Sequence, residues 1–166
     1  MSGVENVTIR EVESSDLETF YAHQLDPAAI RMAAFVGQDR TDKVVFAAHW
    51  AKILSSALNT NRTIVADGQV VGHIACYPHE GHPEVTYWLG REFWGRGIAT
   101  QALTLMLQLV VDRPIFGRAA TDNFGSIRVL QKCGFKIIGK DQGFAIGRGE
   151  VTEEIILRLD PDLVIE

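Results

Sequence analysis

The residues with the clearest potential for chemistry lie where a strand-like segment meets a helix-like one. Gly95, Arg96 and Gly97 follow the segment 84–89, and an apolar helical pattern starts directly after them. The first turn of a helix has backbone N–H groups without intrahelical partners, and its dipole favours negative charge. Glycines at this position let an anion come close to the backbone, and Arg96 adds a positive charge. The spacing therefore predicts a phosphate site, with a tight turn that needs two glycines as the plainer alternative.

Neither of two common nucleotide motifs fits these glycines. No Lys-Ser or Lys-Thr pair follows them, which excludes a P-loop, and Thr100 stands where the dinucleotide fingerprint needs Gly or Ala. The charge distribution nevertheless supports an anion site. Residues 91–140 hold eight basic side chains and three acidic ones, whereas the whole chain carries a net charge of −5. We therefore expect a small polyanion as ligand, and neither nucleic acid nor an anionic membrane surface.

Length and composition are those of a single globular domain, which we expect to span residues 1–166. Hydrophobic residues make up 46% of the chain and charged residues 22%, the balance of an ordinary folded domain. No apolar run approaches the roughly 20 residues of a membrane span, and the first residues lack the pattern of a signal peptide. Cys76 and Cys133 form no metal-type or redox-type pair. We therefore expect a cytoplasmic protein without a disulfide framework.

Hydrophobic periodicity predicts an α/β (α+β mixed) domain whose sheet has helices on both faces. The Asp67-Gly68 dipeptide is typical of a tight turn that joins two antiparallel strands. Gly134 is expected to end a helix in the left-handed conformation. Strands are predicted at 7–12, 63–66, 70–77, 84–89, 115–120, 135–138 and 151–159, and helices at 17–25, 26–30, 42–58, 97–112 and 123–133.

Two stretches of this chain resemble, in the same order, the signature motifs of the GNAT N-acetyltransferase superfamily. Motif A of that family, which binds pyrophosphate and reads Gln/Arg-x-x-Gly-x-Gly/Ala, is similar to Trp94-Gly95-Arg96-Gly97-Ile98-Ala99-Thr100. Motif B is similar to Asn123-Phe124-Gly125-Ser126-Ile127-Arg128-Val129-Leu130-Gln131-Lys132-Cys133-Gly134-Phe135. Both stretches look most like the RimJ/RimL branch, whose members acetylate N-terminal amines of ribosomal and other proteins. Trp94 departs from the usual Gln or Arg of motif A.

The resemblance implies a GNAT-like fold and an acetyl-CoA-dependent reaction. The implied sheet is mixed and mostly antiparallel, with its middle strands splayed so that the pantetheine arm of acetyl-CoA lies between them. A primary amine, either a protein N-terminal α-amine or a small-molecule amine, would attack the thioester directly in a ternary complex. Backbone amides near Leu89 would polarise the thioester carbonyl, and Asn123 would hold the pantetheine or the departing thiol. The implied cofactor-binding residues are Leu89, Trp94, Gly95, Arg96, Gly97, Ile98, Ala99, Thr100, Asn123 and Ser126.

Four residues bear on the proton transfers of this reaction. Glu84 is predicted to be the base, acting through water, because it begins the strand that borders the cleft, and His73 is the alternative base. The Tyr that many family members use to protonate the leaving thiolate corresponds to Leu130, which cannot donate a proton. The resemblance to the RimJ/RimL branch implies Ser126, at the Ala/Ser position of the motif, as the acid instead. Because Leu130 replaces the usual acid, a catalytically weak acyl-CoA-binding sensor or interaction module is the alternative function.

Further expectations concern the acceptor and the surface. Residues outside 91–140 sum to a charge of −10, which favours a cationic acceptor. Arg91 would join Arg96 in offsetting pyrophosphate charge, with Lys132 as a further candidate. His79 and His82 lie in a loop that gives no fixed ligand face, so no metal is expected. Residues 144–149 are expected to form a flexible hairpin beside the acceptor cleft, and a homodimer is left open.

Overall fold

The computed structural model describes residues 6–162, in which seven β-strands and five α-helices follow one another. A 3₁₀ turn, Arg91–Phe93, connects β4 to α4. The elements in chain order are β1 (Val7–Glu11), α1 (Asp16–His23), α2 (Pro27–Ala33), α3 (Lys43–Ser55), β2 (Thr60–Ala66), β3 (Gln69–His79), β4 (His82–Leu89), α4 (Ile98–Leu109), β5 (Ile115–Ala120), α5 (Phe124–Lys132), β6 (Lys136–Ala145) and β7 (Glu150–Leu159).

The strands form one sheet in the order β1-β2-β3-β4-β5-β7-β6. Neighbouring strands are antiparallel except β4 and β5, whose parallel pairing joins, among residues 6–162, only Glu84 and Phe116. β4 continues to Leu89 and β5 to Ala120, so the two strands separate beyond this contact and leave a gap in the sheet. The expected mixed, mostly antiparallel sheet with splayed middle strands is confirmed.

Helix α4 supplies a large part of the hydrophobic core. Its Ile98, Ala102, Leu103 and Met106 are at most 1% exposed, and their spacing follows the 3.6-residue period of an amphipathic helix. They belong to one buried cluster that includes Leu157 of β7. This packing fixes the first turn of α4 next to the end of β4. None of the helices within residues 6–162 is both long and apolar enough to cross a membrane.

Several predicted boundaries differ from the structure by a few residues, and two of them have a clear physical cause. Strand β6 extends to Ala145 instead of ending at 138, because pairing with β7 continues along a polar stretch that has little strand propensity of its own. Helix α4 ends at Leu109 instead of about 112, since the backbone of Val110 is extended. In both cases tertiary pairing or local backbone geometry, not periodicity, sets the end of the element.

The turn between β6 and β7 is docked against α2, contrary to the expected flexible hairpin. The Gly147 N–H donates to the carbonyl oxygen of Ala34 at 2.8 Å. The Arg148 guanidinium donates to both carboxylate oxygens of Asp122 at 2.7 Å, and its Nε donates to the carbonyl oxygen of Arg31 at 2.7 Å. The side chain of Arg148 is only 6% exposed. The turn therefore holds α2 over the carboxyl end of β5.

Helix α1 is fixed to the sheet by a buried carboxylate. Asp16 is 3% exposed and accepts two hydrogen bonds from the Arg10 guanidinium, at 2.7 and 3.0 Å. The Glu13 N–H and the Thr63 hydroxyl also donate to Asp16, at 2.9 and 2.7 Å. The hydrogen bonds from Arg10 are the main cause that lowers the pKa of Asp16 to about 2. This anchor places Phe20 of α1 against β3.

Candidate active site

The glycine loop before α4 leaves its backbone open on one side. Gly95 and Gly97 have φ angles of 74° and 77°, a left-handed conformation that L side chains rarely adopt. A Cβ at either glycine would meet no heavy atom within 4 Å. Gly97 is the N-cap of α4 and no side chain caps this helix. The N–H groups of its first turn are therefore oriented as an anion site requires.

A cavity of about 410 Å³ begins at this loop and is called here the α4 cavity. Helices α2, α4 and α5 and the end of β4 form its walls. Nine of the ten predicted cofactor-binding residues line it, namely Leu89, Trp94, Gly95, Gly97, Ile98, Ala99, Thr100, Asn123 and Ser126. The structure thus brings together residues from two motifs that are separated by more than twenty positions in the chain.

Two of the arginines considered for the pyrophosphate are engaged elsewhere. Arg96 does not line the cavity, and its guanidinium lies over the Phe93 ring at 5.9 Å. Arg91 pairs with Asp26 at the start of α2, at 3.4 Å.

The cations that line the cavity come from α5 instead. They are Arg128 and Lys132, and because they lie four residues apart in a helix they share one face. Sequence reasoning considered Lys132 and missed Arg128, although this spacing was the available signal. The open glycine loop together with two facing cations fits a diphosphate group.

The backbone at the end of β4 faces the gap in the sheet. The Gly90 N–H donates to Val71 of β3 at 3.0 Å, and in an antiparallel ladder only alternate residues point to the same neighbour. The N–H and C=O groups of Tyr87 and Leu89 therefore point away from β3. The Trp94 indole N–H donates to the Leu89 carbonyl oxygen at 3.1 Å. The Leu89 N–H remains directed into the gap, where it can polarise a carbonyl oxygen.

Asn123 links helix α5 to helix α2 beside the α4 cavity. Its side-chain oxygen accepts from the Ser126 N–H at 3.3 Å and caps α5. Its amide nitrogen donates to the carbonyl oxygen of Met32 in α2, also at 3.3 Å. The predicted contact of Asn123 with pantetheine or the departing thiol stays a prediction, for which these two hydrogen bonds leave one amide hydrogen and one oxygen lone pair.

Ser126 has a partner that sequence reasoning did not identify. The Tyr87 hydroxyl donates to Ser126 Oγ at 3.0 Å. Burial raises the pKa of Tyr87 above its ordinary value, so the phenol stays protonated. Leu130, at the position of the usual Tyr, is 3% exposed and packs against β5, where a Cβ on Gly117 would lie 2.8 Å from its Cδ2.

A second cavity of about 870 Å³, called here the α3 cavity, lies on the other side of the Tyr87–Ser126 pair. Helices α1 and α3, the segment 35–40 and strands β3, β4 and β5 line it, with many aromatic side chains. Five residues line both cavities and mark the place where they meet, namely Ala33, Tyr87, Trp88, Asn123 and Ser126.

His73, the alternative base, lies in the wall of the α3 cavity. Its ring packs against Phe20 and Trp50 at centroid distances of 4.8 and 4.9 Å. Burial lowers the pKa of His73 to about 3. An imidazole with this pKa is neutral at pH 7 but is a weak proton acceptor, so its chemistry favours a packing role.

Glu84 is buried and engaged by two donors. Tyr77 Oη donates to one carboxylate oxygen at 2.7 Å and Arg118 Nε to the other at 3.2 Å. Burial and, after it, the hydrogen bond to Glu84 raise the pKa of Tyr77. Arg118 also binds Glu154 at 3.0 Å. Leu89 lies five positions after Glu84 in β4, or about 17 Å along extended chain. The role of Glu84 as base stays a prediction.

Solved structures with the same fold include several protein acetyltransferases. Mycobacterium smegmatis RimJ in complex with CoA-disulfide has a TM-score of 0.79 and 20% identity, covering 93% of this chain and 81% of that chain. RimL, a ribosomal L7/L12 α-N-protein acetyltransferase in complex with coenzyme A, has a TM-score of 0.76 and 16% identity, covering 90% and 92%. Ribosomal-protein-S5-alanine acetyltransferase from Vibrio fischeri has a TM-score of 0.75 and 17% identity, covering 95% and 94%. At such identities the likeness is one of fold.

The family is identified from the sequence itself. Among curated proteins, none matches this chain in sequence. The family model of the acetyltransferase (GNAT) domain matches residues 6–136, more than three quarters of the chain. Members of this family take their acetyl group from acetyl-CoA, which is accordingly the co-substrate here. The chain belongs to the GNAT acetyltransferase family.

Proposed function

We propose that this protein is an N-acetyltransferase that moves an acetyl group from acetyl-CoA to a primary amine by direct attack in a ternary complex. The meeting of two cavities at Tyr87, Trp88 and Ser126 carries this proposal. One cavity has the anion-binding loop of motif A and the other is large enough for an organic acceptor. A thioester and an amine held in these two cavities would be brought to the same point, which is the main requirement of a bimolecular reaction.

The residues of the α4 cavity account for binding of the co-substrate. The first turn of α4, reached past Gly95 and Gly97, would hold the pyrophosphate, and Arg128 and Lys132 would offset its charge. The bound co-substrate supplies an acyl group activated as a thioester. The Leu89 N–H would donate to the thioester oxygen as negative charge develops there, and one such donor typically contributes roughly 10²–10³ in rate.

The acceptor that the site favours is the α-amine of a protein N-terminus. An α-amine has a pKa of about 8 and a lysine amine about 10.4, so the α-amine needs less help to lose its proton. His73 is a weak base because its pKa is lowered to about 3, and Glu84 is held by Tyr77 and Arg118. Glu84 is retained as the proposed base, acting through water. The solved RimL and S5 enzymes that share this fold are named as acetyltransferases of ribosomal proteins.

An acceptor panel with acetyl-CoA tests this function. We expect mass spectrometry to show one acetyl group at the α-amine of a short peptide. The matched control is the same peptide with a blocked N-terminus and an internal lysine, which should stay unmodified. A polyamine and an aminoglycoside test the small-molecule class and the cationic preference. If acetyl-CoA raises the melting temperature but no amine is acetylated, the sensor function replaces the enzymatic one. The size of the purified chain in solution tests the homodimer.

A further inference from the structure

We propose that Tyr87 is a positioning residue for acetyl transfer, whose hydroxyl fixes the Ser126 hydroxyl so that its hydrogen points at the leaving sulfur. The inference rests on the proposed function and adds a residue to it. Tyr87 comes from strand β4 and Ser126 from helix α5, so the pair bridges the gap in the sheet. Both residues line both cavities.

The hydrogen bond between the two hydroxyls has a defined direction. Tyr87 Oη donates to Ser126 Oγ at 3.0 Å. A serine hydroxyl has one hydrogen and two acceptor lone pairs. Because Ser126 accepts from Tyr87, its own hydrogen must point elsewhere, and the cavity offers that direction. A hydroxyl that accepts a hydrogen bond also becomes a stronger donor.

One further hydrogen bond and the burial of Tyr87 support this arrangement. The Asn123 side chain accepts from the Ser126 N–H at 3.3 Å, which places Ser126 in the first turn of α5. Burial keeps the Tyr87 phenol protonated by raising its pKa, so the hydroxyl remains a donor at neutral pH. Leu130 is turned into the interior against Gly117 and offers no polar atom. Ser126 is thus the hydroxyl that the protein aims at the meeting point of the cavities.

The chemical step balances without a proton from Tyr87. The amine nitrogen forms a bond to the thioester carbon, and the carbon–sulfur bond breaks with its electron pair on sulfur. The proton lost from nitrogen goes to the base or to solvent. In this step the Ser126 O–H donates a hydrogen bond to the sulfur as it becomes a thiolate, and the thiolate takes up a proton from solvent on release. The proposal thus makes Ser126 a hydrogen-bond donor to the leaving group in place of the proton-delivering acid expected from the sequence. Tyr87 keeps its own proton and orients the serine.

The test combines kinetics with a titration of bound coenzyme A. Tyr87→Phe keeps the ring and removes the hydroxyl, and Tyr21→Phe is the matched control, because Tyr21 lines neither cavity and binds the Thr41 carbonyl. We expect Y87F to lower kcat about tenfold, the value of one hydrogen bond, with the KM for acetyl-CoA unchanged. The double variant with Ser126→Ala should be no slower than S126A alone.

The pKa of the thiol of bound coenzyme A, followed by the ultraviolet absorbance of the thiolate, gives a readout without turnover. A donor to sulfur favours the thiolate, so this pKa should rise in S126A and in Y87F but not in Y21F. The inference is overturned if Y87F and Y21F have the same kcat and the same thiol pKa of bound coenzyme A. It is also overturned if the double variant is slower than S126A alone by the full factor that Y87F causes by itself. Should Y87F not fold, an unchanged thiol pKa in S126A overturns it equally. If the wild-type protein acetylates no amine, the proposed function falls while the titration still decides the inference.

Discussion

The two cavities of this protein are built in different ways. Most of the α4 cavity comes from two contiguous stretches of sequence, 87–100 and 123–132. The pyrophosphate site that we propose there would be made of backbone N–H groups. The α3 cavity is assembled from α1, α3, β3, β4 and β5, together with the segment 35–40. Backbone groups at a glycine turn can be identified from a short motif, whereas a surface assembled from five elements has no local signature.

This difference separates binding of acetyl-CoA, which is common to the family, from binding of the acceptor, which can be specific to each member. The thioester and pyrophosphate are the same for every member of the family, so a fixed backbone arrangement serves them all. The α3 cavity, where we propose that the acceptor binds, is free to vary. Its lining includes His73, whose ring contacts Phe20 and Trp50. Variants of the two cavities should therefore change different kinetic constants, KM for acetyl-CoA in one case and KM for the acceptor in the other.

The largest effect is expected from Gly97→Val in the α4 cavity. A side chain at this open backbone would fill the space of the pyrophosphate. At a hundred times its Kd, acetyl-CoA should stabilise the wild-type protein by about 2.7 kcal/mol, and the variant should lose this stabilisation in thermal melting.

Gly68→Val is the matched control for the strain that this change introduces. Gly68 has a φ of 83°, a Cβ there would also meet nothing within 4 Å, and it lies in the turn between β2 and β3. Gly68→Val should lower the stability of the ligand-free protein about as much as Gly97→Val does, but it should still be stabilised by acetyl-CoA. An equal response in both variants would place the pyrophosphate elsewhere.

Glu84→Gln is expected to have the next largest effect. Without its general base the reaction should slow roughly 10²-fold, and the rate should rise toward higher pH, because the amine must then lose its proton without help. The measurement is the pH profile of kcat. Glu154→Gln, which removes another carboxylate partner of Arg118, is the control. Similar losses in both variants with an unshifted profile would assign Glu84 to the support of Arg118 alone.

The sequence predicts much of the fold and the α4 cavity for one physical reason, which is that the information is local. Gly97 needs a positive φ, Ile98 and Met106 follow a helical period, and both facts are visible in a few residues. Contacts between distant positions are not visible in this way. Neither the hydrogen bond between Tyr87 and Ser126 nor the pairing of Arg91 with Asp26 follows from spacing.

A smaller effect, on stability and on the acceptor, is expected from Asp16→Asn. The variant should lose about 2 kcal/mol of unfolding free energy at pH 7, the value of hydrogen bonds to a charged group. It should also raise KM for the acceptor, because α1 carries Phe20, which lines the α3 cavity. The folded pKa of Asp16 is about 2, below the ordinary 3.8, so its contribution is present above about pH 4 and is lost as pH falls toward 2.

Urea unfolding at several pH values measures this contribution, with Glu13→Gln as the control. Glu13 is largely exposed and 3.9 Å from Arg10, and an exposed pair contributes at most about 1 kcal/mol. A difference between wild type and D16N that does not shrink in acid would contradict the role of the carboxylate charge.

The smallest effect is expected from Arg148→Lys, which tests whether the β6–β7 turn belongs to the acceptor side. Lysine keeps the charge but cannot bind both oxygens of Asp122 and the Arg31 carbonyl at once. We expect a loss of about 1 kcal/mol in stability and a modest rise in KM for the acceptor, since α2 roofs the meeting point of the cavities. Arg31→Lys, an exposed change on the same helix, should alter neither. If R148K raised KM for acetyl-CoA instead, α2 would contribute to binding of acetyl-CoA. That result would contradict the assignment of the β6–β7 turn to the acceptor side.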